Sequence, residues 1–556
     1  QVMQAGLTTL TASLVRELAD AKLIEMGRPE AYRRHMRVGV PMYDAEQLIC
    51  LPNADEGLGG LNPHATDAQL AGRVKREFAL SAVFAGAVAE AHLSGAIHLY
   101  DLAAIDRLRH AALSPGLVTA CGLPVPQARR TLAPPLHAET AIAQIAQAHA
   151  MYRGHLALPP QWDGLNWFLE PLMLDGGERR VRERAQQLLA AFAGGSEPAT
   201  LSLWWEAPAD VREAAGIEDA DGEDDEDEPG ARHAWGAVAQ LFAWYAVEEA
   251  CGGDLSNGAL RAPRLSAAIT PGVWATPEGR AYLLKAAEAA ARGAAIAFRF
   301  DRDGAPAADD RTLWKPRRVE AHRVGLNLPR AAYRSGRDEA ALFAEIDALL
   351  DTAVDAHLQK QAFLERLFAM GDAGPHGLLM RTWDGRTFCD LREAEWAVEI
   401  AGINEAVQHL TGAELHGSAD AADAAERILD HIAAAVAHRS AQEGMRFVAA
   451  QPLSNEARRR FAAADAQRYP EPACRVVKTE GLTQDVAYTA GAQAAVGAPL
   501  TALERIELEG RFHAYAAADA CVRIGLPDIE TSAEALVEVL RSAYERTGVI
   551  QVAFEA

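Results

Sequence analysis

An α/β architecture follows from two observations on the sequence. Short apolar stretches with strand-like alternation are interleaved with long Ala-rich stretches of helical spacing, and the passage "HRVGLNLPRAAYRSG", His322–Gly336, shows one kind giving way to the other. Val324, Leu326 and Leu328 alternate with Gly325 and Asn327, as in a pleated strand with one apolar face. Pro329 has no ladder donor and closes that strand. From Asp338 onward Leu342, Ile346, Leu349, Leu350 and Val354 recur at helical spacing, so a long helix follows a loop. Strand–loop–helix units of this kind build barrels or doubly wound sheets, whose chemistry sits at strand ends.

Taken in order, "TASLVRELADAKLIEMGRPEAYRRH" predicts a pair of amphipathic helices punctuated by Gly27-Arg28-Pro29. "SGAIHLYDL" predicts a strand over Ala96–Leu102. A Pro-rich passage, "GLPVPQARRTLAPPLH", precedes helices carrying "AETAIAQIAQAHAMYRGHLAL" and "GLNWFLEPLML". "ATLSLWWEAP" is the next strand, and the second half adds "AAIAFRF", "RVGLNLP", "MRFVAA" and "VIQVAF" between long helices. No internal repeat is evident.

The chain of 556 residues is long enough for a large core, and its composition is that of an ordinary globular protein. No apolar run reaches the length needed to span a membrane. The opening residues lack the pattern of a secretory signal, and the absent initiator Met suggests a trimmed start. The net charge is 54 − 77 = −23. Nine acidic residues between Glu218 and Glu228 supply much of it, so residues 217–232 read as a solvated insert. Nonspecific nucleic-acid binding, which needs a basic footprint, is disfavoured. Six cysteines (Cys50, Cys121, Cys251, Cys389, Cys474, Cys521) stand singly, with neither a disulfide framework nor a zinc ribbon visible. A cytoplasmic location is expected. His137, His149 and His155 do not have the i, i+4 spacing of a metal site. Trp162, Trp167, Trp204 and Trp205 suit core packing or the stacking of a base.

Several segments, in order, resemble the catalytic subunit of anaerobic, glycyl-radical (class III) ribonucleoside-triphosphate reductases of the archaeal type. They are "VGVPMYDAEQLI", "NPHATDAQLAGRVKREFAL", "AEAHLSGAIHLYDLAAIDR", "LSLWWEAP", "GLNLPRAAY", "AGINEAVQHLTGAELH", "RVVKTEGLTQDVAYTAG", "VGAPLTALERIELEGRFH" and "SAYERTGVIQVAFEA". The resemblance covers nearly the whole chain. It implies a ten-stranded α/β barrel of two antiparallel halves, penetrated by a finger loop and usually dimeric. Residues 1–95 would form a helical N-terminal part and residues 96–556 the barrel, interrupted by the insert at 217–232. The family uses a glycyl radical, a structural zinc and ATP or deoxynucleotide effectors. None of these is expected to be held in this chain: "GVIQVAFEA" resembles the strand before the family's zinc ribbon and glycine loop, and no stretch resembles the family's ATP-binding cone.

The resemblance also proposes site residues. Arg330 would lie at the barrel rim or wall near a triphosphate-bearing substrate; read by itself, it ends a strand and satisfies carboxylates. The family's T-P-A-E-S turn appears as "PLSNE", Pro452–Glu456, so Ser454 or Asn455 would cap a helix, either as a simple structural cap or to meet an anion. Its Y-T-N-S strand appears as "YTAG", which offers Tyr488 and Thr489 and puts Ala490 and Gly491 where the family is polar.

The radical chemistry departs further. The finger-loop stretch, Phe298–Arg330, contains no cysteine, and none occurs between Cys251 and Cys389. The family's first-strand cysteine corresponds to His110 in "IDRLRHAAL", which reads as a satisfied imidazole or as a proton carrier in an altered site. With no catalytic residue assigned, the expectation is an inactive barrel acting as a nucleotide-binding, regulatory or partner subunit, as a homodimer or paired with an active reductase. The alternative is the barrel half of a working radical enzyme whose glycyl-radical domain comes in trans. That requires a thiol at the barrel centre, from Cys121, Cys389 or Cys521. On the inactive reading, nonpolar residues at Pro452, Leu453, Ala490 and Gly491 would partly refill the cavity, and the polar finger, with its tip at Gly304–Asp310, would stay at the barrel mouth.

Overall fold

The computed structural model describes residues 12–35, 39–50, 63–84, 86–125, 130–174, 177–193, 198–207, 236–252, 261–302, 313–383, 385–452, 454–480, 485–516, 518–526 and 531–555. The acidic insert at 217–232, Leu453 and the finger tip Gly304–Asp310 fall outside them.

Contacts divide the chain into two units, Gln1–Ala82 and Val83–Ala556. The first contains helices Ala12–Glu25, Pro29–His35, Met42–Cys50 and Pro63–Phe78. The expected helix pair is there, with Gly27 at φ 63° making the turn. Helix Ala87–Ser94, which the sequence reading put in the N-terminal part, belongs to the second unit and packs on the first strand.

The second unit is built on one large sheet. Its strands are β1 (Ile97–Leu99), β2 (His110–Leu113), β3 (Gln161–Trp162), β4 (Thr200–Trp204), β5 (Arg264–Ile269), β6 (Ile296–Phe300), β7 (Arg318–Asn327), β8 (Glu395–Ala401), β9 (Arg446–Ala450), β10 (Val522–Gly525) and β11 (Gln551–Glu555). Ten of them follow the order β9-β8-β7-β2-β3-β4-β5-β6-β11-β10, and β1 pairs with β7 off that path. β2 to β6 run parallel to one another, as do β7 to β9 and β10 with β11. The two antiparallel seams are β2/β7 and β6/β11. At the ends of the path, Ala450 and Ala518 form a parallel bridge, with Gln451 N donating to the Ala518 carbonyl. The ten strands in two antiparallel halves are therefore as expected.

Helices cover one face of this sheet. Glu339–Phe368 packs on β7 and β8, Ala419–Glu443 on β9, and Pro277–Ala291 on β6 and β11. Trp162, Trp167, Trp204 and Trp205 are all buried.

The passage after β7 corrects the sequence reading. Pro329 does not introduce a loop; it sits in the first turn of a short helix, Leu328–Ser335, where a missing N–H costs nothing. The Asn327 side chain caps that helix by accepting from Arg330 N at 3.2 Å. Gly336 ends it at φ 62°, and Asp338 caps the long helix Glu339–Phe368.

Candidate functional site

The strand registers trace a single face across the sheet. His110 lies opposite Glu320 and Ala112 opposite Arg318; Ala112 pairs with Gln161, Gln161 with Thr200, Ser202 with Ser266, Ser266 with Ala297, Ala297 with Ala553 and Ala553 with Arg523. A register shift beside Trp396 skips Ala321, which returns Arg323 to the face of Arg318 and Glu320. On β8 the same face carries Glu395, Ala397 and Glu399. This is the inner face, opposite the helices.

Between β7, β8 and β2 that face is filled with charge. Arg323, fully buried, donates from Nε and Nη2 to both oxygens of Glu320 at 2.7 Å, to Glu399 at 3.3 Å, to the Gln451 carbonyl at 3.1 Å and to Asp519. Arg318 pairs with Glu395 at 2.5 Å and Asp519 at 3.0 Å, and Arg109 with Asp101 at 2.5 Å and Glu320 at 3.1 Å. The Tyr100 hydroxyl donates to Glu399 at 2.5 Å. Burial opposes ionisation of Asp519, but Arg323 and Arg318 outweigh it and hold the carboxyl well below its usual range. For Glu399 burial prevails over Arg323 and the Tyr100 hydroxyl and pushes the carboxyl up.

His110 stands at the edge of this cluster. Burial pushes its pKa down to about 4, against the pull of Glu320 and Asp519, so the imidazole is neutral at pH 7. This filling corrects the expected one: charged residues, not nonpolar substitutions at Pro452, Ala490 and Gly491, occupy the inner face. Pro452 and Ala490 instead line an open cleft.

That cleft, of about 710 Å³, lies at the C-terminal ends of β10 and β11 beside the start of helix Glu456–Arg468. Ligands of open α/β sheets bind outside the carboxyl ends of strands. Ser454, Asn455, Arg458 and Thr489 form one wall, Gln493, Ala494 and Val496 another, and Arg523 with Glu555 closes the strand side. Leu500, Leu526, Leu536 and Val539 make one end apolar. Arg458 donates to the Tyr488 carbonyl at 2.6 Å and to the Asn455 amide oxygen, so Asn455 anchors an arginine and does not cap the helix. Thr489 is fixed by Glu405, through its hydroxyl at 2.7 Å and its N–H at 3.0 Å. Gly491 is required by geometry: at φ 51°, an added Cβ would lie 1.7 Å from Gln451 Oε1.

Three of the five predicted site residues, Ser454, Asn455 and Thr489, thus meet in one cleft. Tyr488 and Arg330 lie elsewhere. Tyr488 is buried and donates to Asp465 at 2.9 Å, and Arg330 donates to the same carboxylate at 2.6 Å and to the Ser94 carbonyl at 2.6 Å. Arg330 therefore occupies a carboxylate site inside the fold, not a ligand at the rim. Sequence reasoning missed Arg458, Gln493, Arg505 and Arg523; the run Arg458-Arg459-Arg460 directly after the "PLSNE" turn was the available signal.

The other candidates separate. His149 accepts from Trp162 Nε1 at 3.3 Å, and His155 meets His376, Nδ1 to Nδ1, at 3.3 Å. Among the described residues no group of three or more His, Cys, Asp or Glu is arranged to hold a metal ion, and no helix is long and apolar enough to cross a membrane. None of the residues lining the cleft is a cysteine. Cys121 and Cys389 are buried, and Cys521, whose carbonyl accepts from Gln493 Nε2 at 2.8 Å, has its thiol pushed up to about 12 by burial. The stretch that resembles the family's finger loop, Phe298–Arg330, contains no cysteine.

Comparison with known proteins agrees with this architecture. The anaerobic ribonucleotide reductase of Thermotoga maritima with dATP bound in the specificity site superposes with a TM-score of 0.68 at 14% identity, covering 92% of this chain and 89% of that one. Another structure of an anaerobic ribonucleotide reductase gives 0.67 at 13% identity, covering 96% and 84%. Hydroxyproline dehydratase from Clostridioides difficile gives 0.57 at 11%, covering 93% and 82%. Likeness at these identities shows the fold alone. No curated protein sequence matches the chain. The profile of the family described as anaerobic ribonucleoside-triphosphate reductase, however, matches residues 58–193 and 240–556, and with that match the chain belongs to the anaerobic ribonucleoside-triphosphate reductase family.

Proposed function

We propose that this family member binds a ribonucleoside triphosphate in the cleft formed by Ser454, Asn455, Arg458, Thr489 and Arg523 and carries out no radical chemistry of its own, serving as a nucleotide-binding, regulatory or partner subunit. One observation carries the reading. Positions that resemble the family's substrate turns meet in a single cleft beside two arginines, while residues 252–388, which include the finger segment, contain no cysteine. Guanidinium groups and a helix start suit phosphate oxygens, and the apolar end formed by Leu526, Leu536 and Val539 suits a base.

The test has two arms. Calorimetry with the four ribonucleoside triphosphates is expected to show binding that Arg458→Ala weakens at least about tenfold, the usual effect of losing one charge-assisted contact. An anaerobic reduction assay, with an activating enzyme and a separately supplied glycyl-radical domain, is expected to give no deoxynucleotide. Any product above background sinks the inactive reading.

That outcome would favour the barrel half of a working radical enzyme with its glycyl domain in trans. Cys521 is then the thiol to examine, because Gln493 of the cleft wall holds its carbonyl and Arg523 lies two residues on. Cys521→Ala would have to abolish the activity.

A further inference from the structure

The cleft wall Gln493–Val496 has no regular secondary structure, and Val496 at its tip is 80% exposed. Two side chains from the helix Ala502–Gly510 hold it. Arg505 donates to the carbonyls of Ala494 at 3.1 Å, Ala495 at 2.8 Å and Val496 at 3.4 Å. It also donates to Glu509 Oε1 at 2.8 Å, and that same oxygen accepts from Ala494 N at 3.1 Å. Both polar backbone atoms of Ala494 are therefore satisfied by one ion pair, one turn apart on a single helix. Thr501 and Glu504 cap that helix reciprocally, which fixes the turn from which Arg505 reaches out.

We propose that Arg505 and Glu509 are positioning residues for the nucleotide cleft: Arg505 shapes the wall, and the protonation of Glu509 sets how much of the Arg505 charge an anionic ligand meets. This rests on the nucleotide reading above.

Glu509 is 2% exposed. Burial pushes its pKa up to about 7, with Arg505 and the Ala494 N–H opposing. Both accepted bonds fall on Oε1, so a proton can sit on Oε2 while the wall keeps its hydrogen bonds. The groups around it do not supply a competing titration. Cys521, ahead of β10, is held as a thiol by burial, and Arg523 is paired with Glu555 at 2.5 Å. On the following turn Arg511 binds Glu426 and Asp423, and His513 accepts from Ile550 N, its pKa lowered by burial to about 4. On the helix Ala533–Arg546, which packs against this one, Arg541 pairs with Glu545. Protonating Glu509 therefore unmasks one positive charge beside the cleft, and anions should bind more tightly as the pH falls through about 7.

The experiment uses the full chain, with hydrogen exchange read by mass spectrometry and CTP binding read by calorimetry from pH 5.5 to 8.5. Arg505→Gln is expected to speed exchange in the peptide spanning residues 493–500 by at least about tenfold without changing exchange in β7 and β8, whereas Glu509→Gln, which keeps the acceptor, leaves it near wild type. Unchanged exchange in Arg505→Gln overturns the positioning role, whether or not any nucleotide binds. For wild type, CTP affinity is expected to rise roughly three- to tenfold from pH 8 to pH 6, and Glu509→Gln to flatten that dependence. An equal pH dependence in wild type and Glu509→Gln overturns the charge coupling. Faster exchange in Arg505→Gln together with no CTP binding at any pH overturns the nucleotide reading and the coupling while the positioning role stands.

Discussion

The inner face of the sheet is two different surfaces. Along β6, β11 and β10 burial alternates: Phe298, Val552, Phe554 and Val522 are buried on the helix side, while Ala297, Arg299, Gln551 and Ala553 are half-buried and Arg523 and Gly525 exposed. Along β7 and β8 nearly every residue is buried on both faces, because Arg323, Glu320, Glu399 and Asp519 pack where an open face would be. One half of the scaffold has kept room beside its strands, and the other has exchanged room for a network of ion pairs. Removing one partner of a buried ion network is strongly destabilising, so the filled half is constrained in composition where the open half is not.

The largest effect to expect is on the filled half. Arg323→Leu leaves Glu320, Glu399 and Asp519 sharing only Arg109 and Arg318, and breaking a buried ion network in this way costs roughly 3–5 kcal/mol of stability. The matched change in the open half, Arg523→Leu, removes a pair with Glu555 whose side chains are 48% and 55% exposed. There the expected cost is about 1 kcal/mol or less. Denaturant titration of both variants measures the contrast, and equal losses would mean that the two faces are not energetically distinct.

A second effect comes from the helix side of the filled half. His322 and His357 meet there, Nδ1 to Nδ1, at 3.0 Å beside Trp396 and Phe447. Burial lowers both: His357 to about 3, and His322 well below its ordinary 6.5, the proximity of His357 and the Lys360 ammonium adding to the fall for His322. The unfolded chain takes up these protons below pH 6.5 while the folded chain refuses them, so the stability is whole above pH 6.5 and is lost as the pH falls toward the folded values. Each histidine contributes at most about 1.4 kcal/mol per pH unit. Urea midpoints between pH 7 and 5 should fall more steeply for wild type than for His322→Leu/His357→Leu, and parallel lines would remove the pair from the account of acid stability.

This division explains what could be read in the sequence. The strands at Ile296–Phe300, Arg318–Asn327, Arg446–Ala450 and Gln551–Glu555 announce themselves by local alternation, and the ten-stranded arrangement came from the order of family-like segments. Ser454, Asn455 and Thr489, singled out by the resemblance of two short stretches to family motifs, come together in one cleft. The charge network was not: Arg323 and Asp519 are 196 residues apart, and neither stands in a pattern that marks it as buried. Arg330 misled for a related reason, since its partner Asp465 is 135 residues away, in a helix that reads as ordinary and solvated.

The smallest effect sharpens the comparison most directly, because it changes neither charge nor hydrogen bonding. Ala397 and Ala553 both sit on the inner face, Ala397 opposite Arg323 and Ala553 opposite Arg523. Ala397 is fully buried within the ion network, whereas Ala553 is half-buried beside the open space. Valine suits a strand at either position, so backbone propensity cancels between them. At Ala397 the two added methyls must displace the guanidinium of Arg323 or its carboxylates, and overpacking of that kind costs about 1–3 kcal/mol. At Ala553 they enter free volume, and Ala553→Val should stay within about 0.5 kcal/mol of wild type. Thermal melts of the two variants at pH 7 decide the matter. If Ala553→Val is destabilised as much as Ala397→Val, the open half is as tightly filled as the other, and the distinction between a fixed face and a binding face fails.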